Sequence, residues 1–173
     1  MGDLRSALDW LIPLLKERSI PFHITGGFAA HLYGANRSVN DIDIDLPTPA
    51  LISLKSAIDP YIQDPPQRYK DATWDIYVCT LNYQGQLIDL TGDSEAYISN
   101  KHTGGWDPLT INFDKVIWVN AFGHRLPLQN PDDLLSYKLK IKYDELKHLA
   151  DVEAIRLYIH NKRLHSTPAC GRE

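Results

Sequence analysis

Three acids alternate with aliphatic residues in the segment Asp41–Leu46, which reads Asp-Ile-Asp-Ile-Asp-Leu. A period of two is typical of a β-strand, in which successive side chains point to opposite faces. We therefore expect Asp41, Asp43 and Asp45 on one face and the aliphatic side chains in a core. Carboxylates in a row repel one another, and a bound cation removes that repulsion. Oxygen ligands of this kind suit Mg²⁺, Mn²⁺ or Ca²⁺, so the strand is interpreted as half of a metal site.

A glycine pair precedes these acids. Gly26 and Gly27 follow a short apolar strand and open a helix of small residues. Glycine lets backbone amides approach a ligand closely, and the first turn of a helix attracts phosphate. Arg37, four residues before Asp41, can add a bidentate contact to a phosphate. The sequence thus predicts a phosphate site beside the metal site, in which Arg37→Ala weakens nucleotide binding and leaves thermal stability nearly unchanged.

The order of these residues, Gly-Gly, thirteen residues, then Asp-Ile-Asp-Ile, resembles the signature of the DNA polymerase beta type nucleotidyltransferase superfamily. The small bacterial branch of this superfamily, with toxin-like and antibiotic-modifying members, often has an arginine four residues before the first acid, and Arg37 resembles it in this position. Val39 differs, because many of those relatives have threonine there. The resemblance implies an α/β (α+β) minimal nucleotidyltransferase fold, with a mixed central sheet flanked by helices and with C-terminal helices.

The resemblance also implies an activity, the transfer of a nucleoside monophosphate from an NTP such as ATP to a hydroxyl acceptor with release of pyrophosphate. Two Mg²⁺ or Mn²⁺ ions would be held by Asp41, Asp43 and a third carboxylate. The acceptor stays open between a small molecule, a tRNA end and a protein hydroxyl. In the toxin-like branch a cognate antitoxin would be a partner. The residues that the resemblance places against the NTP in this part of the chain are Gly26, Gly27, Arg37 and Ser38.

Three residues are candidates for the third carboxylate. Asp89 is preferred, because an acid inside the apolar run Leu87–Leu90 is costly unless a cation or partner holds it. Asp75 is the alternative, at the start of a strand and so closer to solvent, and Asp93 comes third. Asp45 is interpreted as a residue behind the metal ligands or as the exposed end of its strand.

A helix start is predicted at Asn130-Pro131, where a cap residue and a proline precede two acids. Segments 131–139 and 147–152 resemble the pair that follows the core in the toxin-like branch, where a lysine of the first segment approaches the triphosphate. That lysine corresponds to Lys138, although a solvated lysine face is an equal alternative. The second segment has His148 where those relatives usually have aspartate.

The remaining patterns predict the elements that position these residues. We expect a nucleotidyltransferase core over residues 1–128, a helical segment packed on it over 129–165, and a loose tail over 166–173. Residues 59–70, with three prolines, are expected to be a connector, and residues 94–108 a surface loop. The other expected elements are helices over 3–18, 27–34 and 48–57, a strand over 22–25, and hairpins over 74–91 and 116–126.

Composition narrows the class of protein. The chain has 173 residues and 43% hydrophobic content, which is enough for one domain with a proper core. Its net charge of −4 provides no overall basic field for a long nucleic acid. Cys79 and Cys170 form no disulfide or zinc pattern, and the N-terminal segment shows neither a signal peptide nor a membrane span. We therefore expect a cytoplasmic protein that does not bind membranes.

Other function classes fit less well. A calcium loop starting at Asp41 needs glycine and glutamate where the chain has Leu46 and Ile52. No cysteine or serine lies in a nucleophile motif of a hydrolase. The alternative from another class is a catalytically silent module that keeps the fold and binds NTP, metal or a regulated partner. The retained acids Asp41 and Asp43 favour catalysis.

Overall fold

The computed structural model describes residues 2–141 and 146–166, and this part of the chain folds into helices and strands around one mixed sheet. The helices are α1 (Leu4–Glu17), α2 (Gly26–Leu32), α3 (Thr48–Ile58), α4 (Pro131–Lys140) and α5 (Leu146–Ser166), with a 3₁₀ turn at Asp59–Tyr61. The strands are β1 (His23–Ile24), β2 (Asp41–Leu46), β3 (Ile62–Lys70), β4 (Trp74–Tyr83), β5 (Gln86–Ser99), β6 (Trp106–Pro108), β7 (Ile117–Ala121) and β8 (His124–Leu128). No helix in this part of the chain is long and apolar enough to cross a bilayer.

The sheet has the order β3-β4-β5-β2-β1-β8-β7, with β6 paired to β5 outside this path. Strand β2 lies at its centre, parallel to β5 and antiparallel to β1. The hairpins β4–β5 and β7–β8 are antiparallel, as the turns at Gln84-Gly85 and Gly123 predict. This is the mixed central sheet that the family resemblance implies.

The connector expected over residues 59–70 is wrong, because residues Ile62–Lys70 form strand β3. The strand lies at the edge of the sheet, and among the described strands it pairs only with β4. An edge strand tolerates proline, since one side of it needs no hydrogen-bond donors. The pairing register shifts between Asp64 and Gln67, around Pro65 and Pro66. The prolines thus mark an irregular edge strand.

The surface loop expected over residues 94–108 is also wrong over much of its length. Strand β5 continues to Ser99 and pairs with β6, with Tyr97 opposite Pro108. Ala96 and Ile98 are buried while Tyr97 is exposed. This alternation of buried and exposed side chains is typical of a strand, although the segment is polar. Just before it, Glu95 has a positive φ of 52°, and the pairing of β5 with β4 is irregular there.

The C-terminal helices share the core of the sheet. Asn130 caps α4 by accepting a hydrogen bond from the backbone N–H of Asp132, as the sequence predicts. Leu134 of α4 and Ile155 of α5 are buried in the same hydrophobic cluster as Ile44 of β2. The expected tail, with Cys170, lies outside the described residues beyond Ser166. Cys79 is buried and carries a free thiol.

Candidate functional site

Parallel pairing of β2 with β5 brings three acids together. Asp43 lies opposite Asp89 in the register, and Asp41 lies two residues before Asp43 on the same face of β2. One carboxylate oxygen from each of these residues lies within 4.8 Å of the others. Asp41, Asp43 and Asp89 are called the acid triad below. The sequence predicted this juxtaposition, and the structure confirms it, whereas the catalytic role of each residue stays a prediction.

The other two candidates for the third carboxylate lie elsewhere and have their own partners. Asp75 accepts hydrogen bonds from Arg68 Nε at 2.5 Å and from Lys70 Nζ at 2.6 Å. These bonds lower the pKa of Asp75. Asp93 accepts a hydrogen bond from the backbone N–H of Thr48 at 3.0 Å, at the start of α3. Both acids therefore stabilise neighbouring elements and are not part of the acid triad.

Negative charge is crowded in the acid triad. Burial, followed by the charges of Asp41 and Asp89, raises the pKa of Asp43 to about 7. Burial also raises the pKa of Asp89, against a hydrogen bond of 2.6 Å that the Thr80 hydroxyl donates to its Oδ1. A divalent cation would relieve this repulsion, and three carboxylates from two fixed strands match the oxygen ligands that Mg²⁺ and Mn²⁺ prefer.

The glycine pair lies directly against these acids. The backbone N–H of Gly27 donates a hydrogen bond to Asp43 Oδ2 at 3.2 Å. A Cβ at Gly26, which has φ of +62°, would lie 1.8 Å from Asp43 Oδ2, and a Cβ at Gly27 would lie 1.9 Å from Arg37 Nη2. Glycine is thus required here because the side chains of Asp43 and Arg37 pack on the backbone. The contact of these glycines with phosphate stays a prediction.

Arg37 and Lys138 come together through an acid from α5. Arg37 donates to Asp151 through Nε at 2.7 Å and Nη2 at 2.9 Å, and Lys138 Nζ donates to the same carboxylate at 3.0 Å. Asp151 is 2% exposed and Lys138 6% exposed. The solvated lysine face is therefore wrong for Lys138, which lines the cavity beside the acid triad. Ser38 is exposed, and its carbonyl accepts a hydrogen bond from Arg37 Nη1.

His148, which differs from the aspartate expected from the resemblance, has a structural partner in α4. His148 Nε2 lies 2.8 Å from the carbonyl oxygen of Lys138, near the end of α4. Burial and the charge of Lys138 lower the pKa of His148. The neutral ring donates to this carbonyl and joins α5 to α4 beside the cavity.

Asp45 is not the exposed end of its strand. Its Oδ2 lies 2.7 Å from His23 Nε2, and the two residues are 4% and 0% exposed. The Thr25 hydroxyl donates a hydrogen bond of 2.5 Å to Gln129 Oε1 at the same end of the cavity. Asp45, Thr25 and Gln129 line the same cavity as the acid triad, whereas the placement of Asp45 behind metal ligands stays a prediction.

Sequence reasoning assigned no role to Asp151, His23, Thr25 or Gln129. A signal for Asp151 was present, because it lies four residues before Ile155 and therefore on the buried face of α5. A buried acid on a helix needs a cationic partner. His23 directly follows Phe22 and carried no comparable signal.

The acid triad, the glycine pair, Arg37 and Lys138 all line one cavity of about 450 Å³, which is within the usual range for small-molecule sites. The acid triad lies on the sheet, Lys138 lies on α4, and Arg37 lies in the loop before β2, beside Gly27. Lys147 is exposed and also lines the cavity. A ligand with several phosphates would contact both the cations and any metal ions held by the acids.

No protein-family model matches the sequence, and no curated protein matches it. Its fold is nevertheless shared with solved structures. A protein of Thermotoga maritima, provisionally assigned as a nucleotidyltransferase, is 18% identical, with 92% of this chain and 96% of that chain covered and a TM-score of 0.62.

Two similar structures were solved with an antibiotic or an adenylyl antibiotic bound. The lincosamide antibiotic adenylyltransferase LnuA, solved with lincomycin bound, is 14% identical, with coverage of 87% and 95% and a TM-score of 0.55. ANT(2")-Ia, solved with adenylyl-2"-tobramycin, is 14% identical, with coverage of 93% and 92% and a TM-score of 0.60. These likenesses confirm the nucleotidyltransferase fold.

Proposed function

We propose that the protein is a metal-dependent nucleotidyltransferase that transfers a nucleoside monophosphate from an NTP to a hydroxyl group and releases pyrophosphate. The acid triad carries this proposal. Its carboxylates lie within 4.8 Å of one another on two paired strands, in a cavity of the nucleotidyltransferase fold. The raised pKa of Asp43 supports a cation as the missing partner of these acids.

Two divalent ions bound by the acid triad would neutralise the triphosphate and lower the pKa of the acceptor hydroxyl. The hydroxyl oxygen forms a bond to the α-phosphorus, and the bond from that phosphorus to pyrophosphate breaks. Thr80 fixes one oxygen of Asp89, so that the other oxygen is placed to take the hydroxyl proton.

Arg37 and Lys138, whose charges act on the acid triad, are the proposed phosphate contacts. Their shared partner Asp151 holds both cations at the cavity and leaves a net charge of +1 for the group of three. Gly26 and Gly27 stay proposed contacts because they lie beside Asp43 at the start of α2. Ser38 is exposed, and its position adds no support for a contact with the NTP.

We propose a small molecule as the acceptor. The cavity of about 450 Å³ has the size of a small-molecule site, and the net charge of −4 disfavours a tRNA end. LnuA and ANT(2")-Ia, which share the fold, were solved with small-molecule antibiotics or their adenylyl product. An antitoxin partner and a cytoplasmic location stay predictions.

The test combines binding with transfer. Calorimetry with Mn²⁺ and α,β-methylene ATP should show metal-dependent binding by the wild type, and incubation with each α-labelled NTP and Mg²⁺ should label an acceptor from a panel of antibiotics, total RNA and protein. Asp41→Asn should lose both signals. Asp132→Asn, which changes an exposed acid at the start of α4, is the matched control and should keep both.

The results separate the proposed enzyme from a silent module. Tight metal-dependent binding without transfer to any acceptor would favour the module. If Asp41→Asn kept metal-dependent binding and transfer as Asp132→Asn does, the acid triad would not be the metal site. That result would contradict both the enzyme and the metal-binding module.

A further inference from the structure

Strand β4 extends the cavity wall beyond Asp89. Trp74, Ile76, Val78 and Thr80 alternate along this strand, and all four line the cavity. Thr80 lies opposite Asp89 in the register. Because a strand rises about 3.3 Å per residue, this wall runs roughly 20 Å from the acid triad to Trp74. It becomes apolar as soon as it leaves the triad.

The facing side chains are apolar or aromatic as well. The ring of Tyr137 on α4 lies 5.9 Å from the ring of Trp74, at an angle of 62°. Leu109 and Ile141 line the same cavity, and Tyr69 on β3 lies beside Ile76 in the register. The cavity therefore has a charged half at β2 and an apolar half at β4, and the two meet at Tyr137, whose ring centroid lies 5.5 Å from Lys138 Nζ.

The carboxylates of the charged half have partners. Asp45 is hydrogen-bonded to His23, and Asp151 to Arg37 and Lys138. The acid triad is assigned to metal ions in the proposed function. Among the described residues that line the cavity, no further carboxylate is left for the amino groups of an acceptor.

We infer that the apolar half binds the acceptor, and that the acceptor is an uncharged molecule with an aromatic or apolar body next to its reactive hydroxyl. This inference rests on the proposed function. In the strand order β4-β5-β2, Asp89 on β5 separates the apolar wall from Asp41 and Asp43. The proposed phosphate contacts Arg37 and Lys138 lie close enough to Asp43 for their charges to act on it, so the NTP fills the charged half and the acceptor hydroxyl reaches Asp89 from β4.

Calorimetry with three probes tests this inference on the full chain, with and without Mn²⁺ and α,β-methylene ATP. The probes are 4-nitrophenyl β-D-glucopyranoside, methyl β-D-glucopyranoside, which has the same sugar without the ring, and the polycation tobramycin. The nitrophenyl glucoside should bind with a dissociation constant of about 1 mM or tighter, and at least tenfold more tightly than either other probe.

Variants locate the binding. Trp74→Ala should weaken binding of the nitrophenyl glucoside at least tenfold, Trp74→Phe should restore most of it, and the exposed control Leu157→Ala should leave it unchanged. All three variants should bind the nucleotide analogue within twofold of the wild type. Thermal unfolding of each variant confirms that it is folded.

Three results would overturn the inference: no saturable binding of the nitrophenyl glucoside, tighter binding of tobramycin, or weaker nucleotide binding by Trp74→Ala, which would place the nucleobase on the wall. The proposed function fails separately, if the wild type does not bind the nucleotide analogue with Mn²⁺. In that case binding of the glucoside would still report on the apolar wall.

Discussion

Asp43 carries most of the electrostatic strain of the site. It lies between Asp41 and Asp89, and its charge is stabilised by a hydrogen bond from the N–H of Gly27 at 3.2 Å and by the positive charge of Lys138. A charge in this position favours a bound cation over an empty site, and it lowers the stability of the metal-free protein. Function and stability are therefore opposed at this residue.

Asp43→Asn should leave the metal-free protein as stable as the wild type or more stable, by about 1 kcal/mol. Asparagine keeps an acceptor for Gly27 and removes the repelling charge. The same change should abolish stabilisation by Mn²⁺ with NTP, because that stabilisation requires binding to the folded state. Thermal shifts of both proteins, with and without metal, measure this. A less stable mutant that still gains as much from metal would show that Asp43 serves the fold alone.

Metal-free stability should also depend on pH through Asp43. Its pKa is about 7 when folded and about 3.9 when unfolded, so between these values the folded state holds a proton that the unfolded state has lost. The contribution of Asp43 to the free energy of unfolding should be full below about pH 4 and lost as pH rises through about 7. Urea unfolding at pH 5 and pH 8 should show a larger loss for the wild type than for Asp43→Asn. Equal losses would mean that Asp43 is ionised throughout.

Arg37 should affect both binding and stability. The sequence predicted unchanged stability for Arg37→Ala, but the bidentate pair with the buried Asp151 changes that expectation. Lys138 still compensates Asp151 in the mutant, so we expect a loss of about 1–3 kcal/mol, less than for a fully broken buried pair. NTP binding should weaken at least tenfold. Urea unfolding and calorimetry measure these effects, with Arg163→Ala, from an exposed ion pair, as the control. Normal NTP binding by a destabilised mutant would make Arg37 purely structural.

At the scale of elements, the turn from β1 into α2 fixes how closely the sheet acids approach the backbone. Gly26→Ala should destabilise the protein by about 2 kcal/mol or more and displace Asp43, because the new Cβ would lie 1.8 Å from its Oδ2. Mn²⁺ binding should be lost with it.

Gly34→Ala is the matched control for this change. Gly34 also has a positive φ, of 112°, but a Cβ there meets no atom within 4 Å. It should therefore show backbone strain, with Mn²⁺ binding kept. Calorimetry and thermal unfolding of the two variants separate strain from the clash with Asp43. Loss of Mn²⁺ binding in both would assign the effect to the backbone alone.

Elements with a regular hydrophobic period were predictable from the sequence. The alternation in β2 and the cap at Asn130 gave β2 and α4 close to their bounds. Strand β3 was missed because prolines argue against a strand, and only its place at the sheet edge, a tertiary feature, makes them acceptable. The pairing of Asp43 with Asp89 was inferred from the cost of a buried acid, whereas the contact of Arg37 with Asp151, which lie 114 residues apart, had no local signal.

At the scale of the whole molecule, the sheet and the C-terminal helices share one hydrophobic core. Ile155 of α5 is fully buried with residues of α1 and β2, and α4 and α5 carry Lys138 and Asp151 to the cavity. We propose that the core over residues 1–128 and the helical segment over 129–165 fold as one cooperative unit. The site would then exist only in the intact molecule.

Ile155→Ala tests this unity. Removing a fully buried side chain should cost about 2–5 kcal/mol, and in one cooperative unit the loss should appear equally in every probe of unfolding. Leu157→Ala on the same helix is the control, since Leu157 is 58% exposed and its truncation should change stability by less than about 0.5 kcal/mol. Urea unfolding followed by far-UV circular dichroism and by tryptophan fluorescence, which reports on the core because all four tryptophans lie within residues 1–128, should give coincident transitions in all three proteins. If Ile155→Ala shifts the dichroism transition and leaves the fluorescence transition in place, the C-terminal helices unfold independently of the sheet.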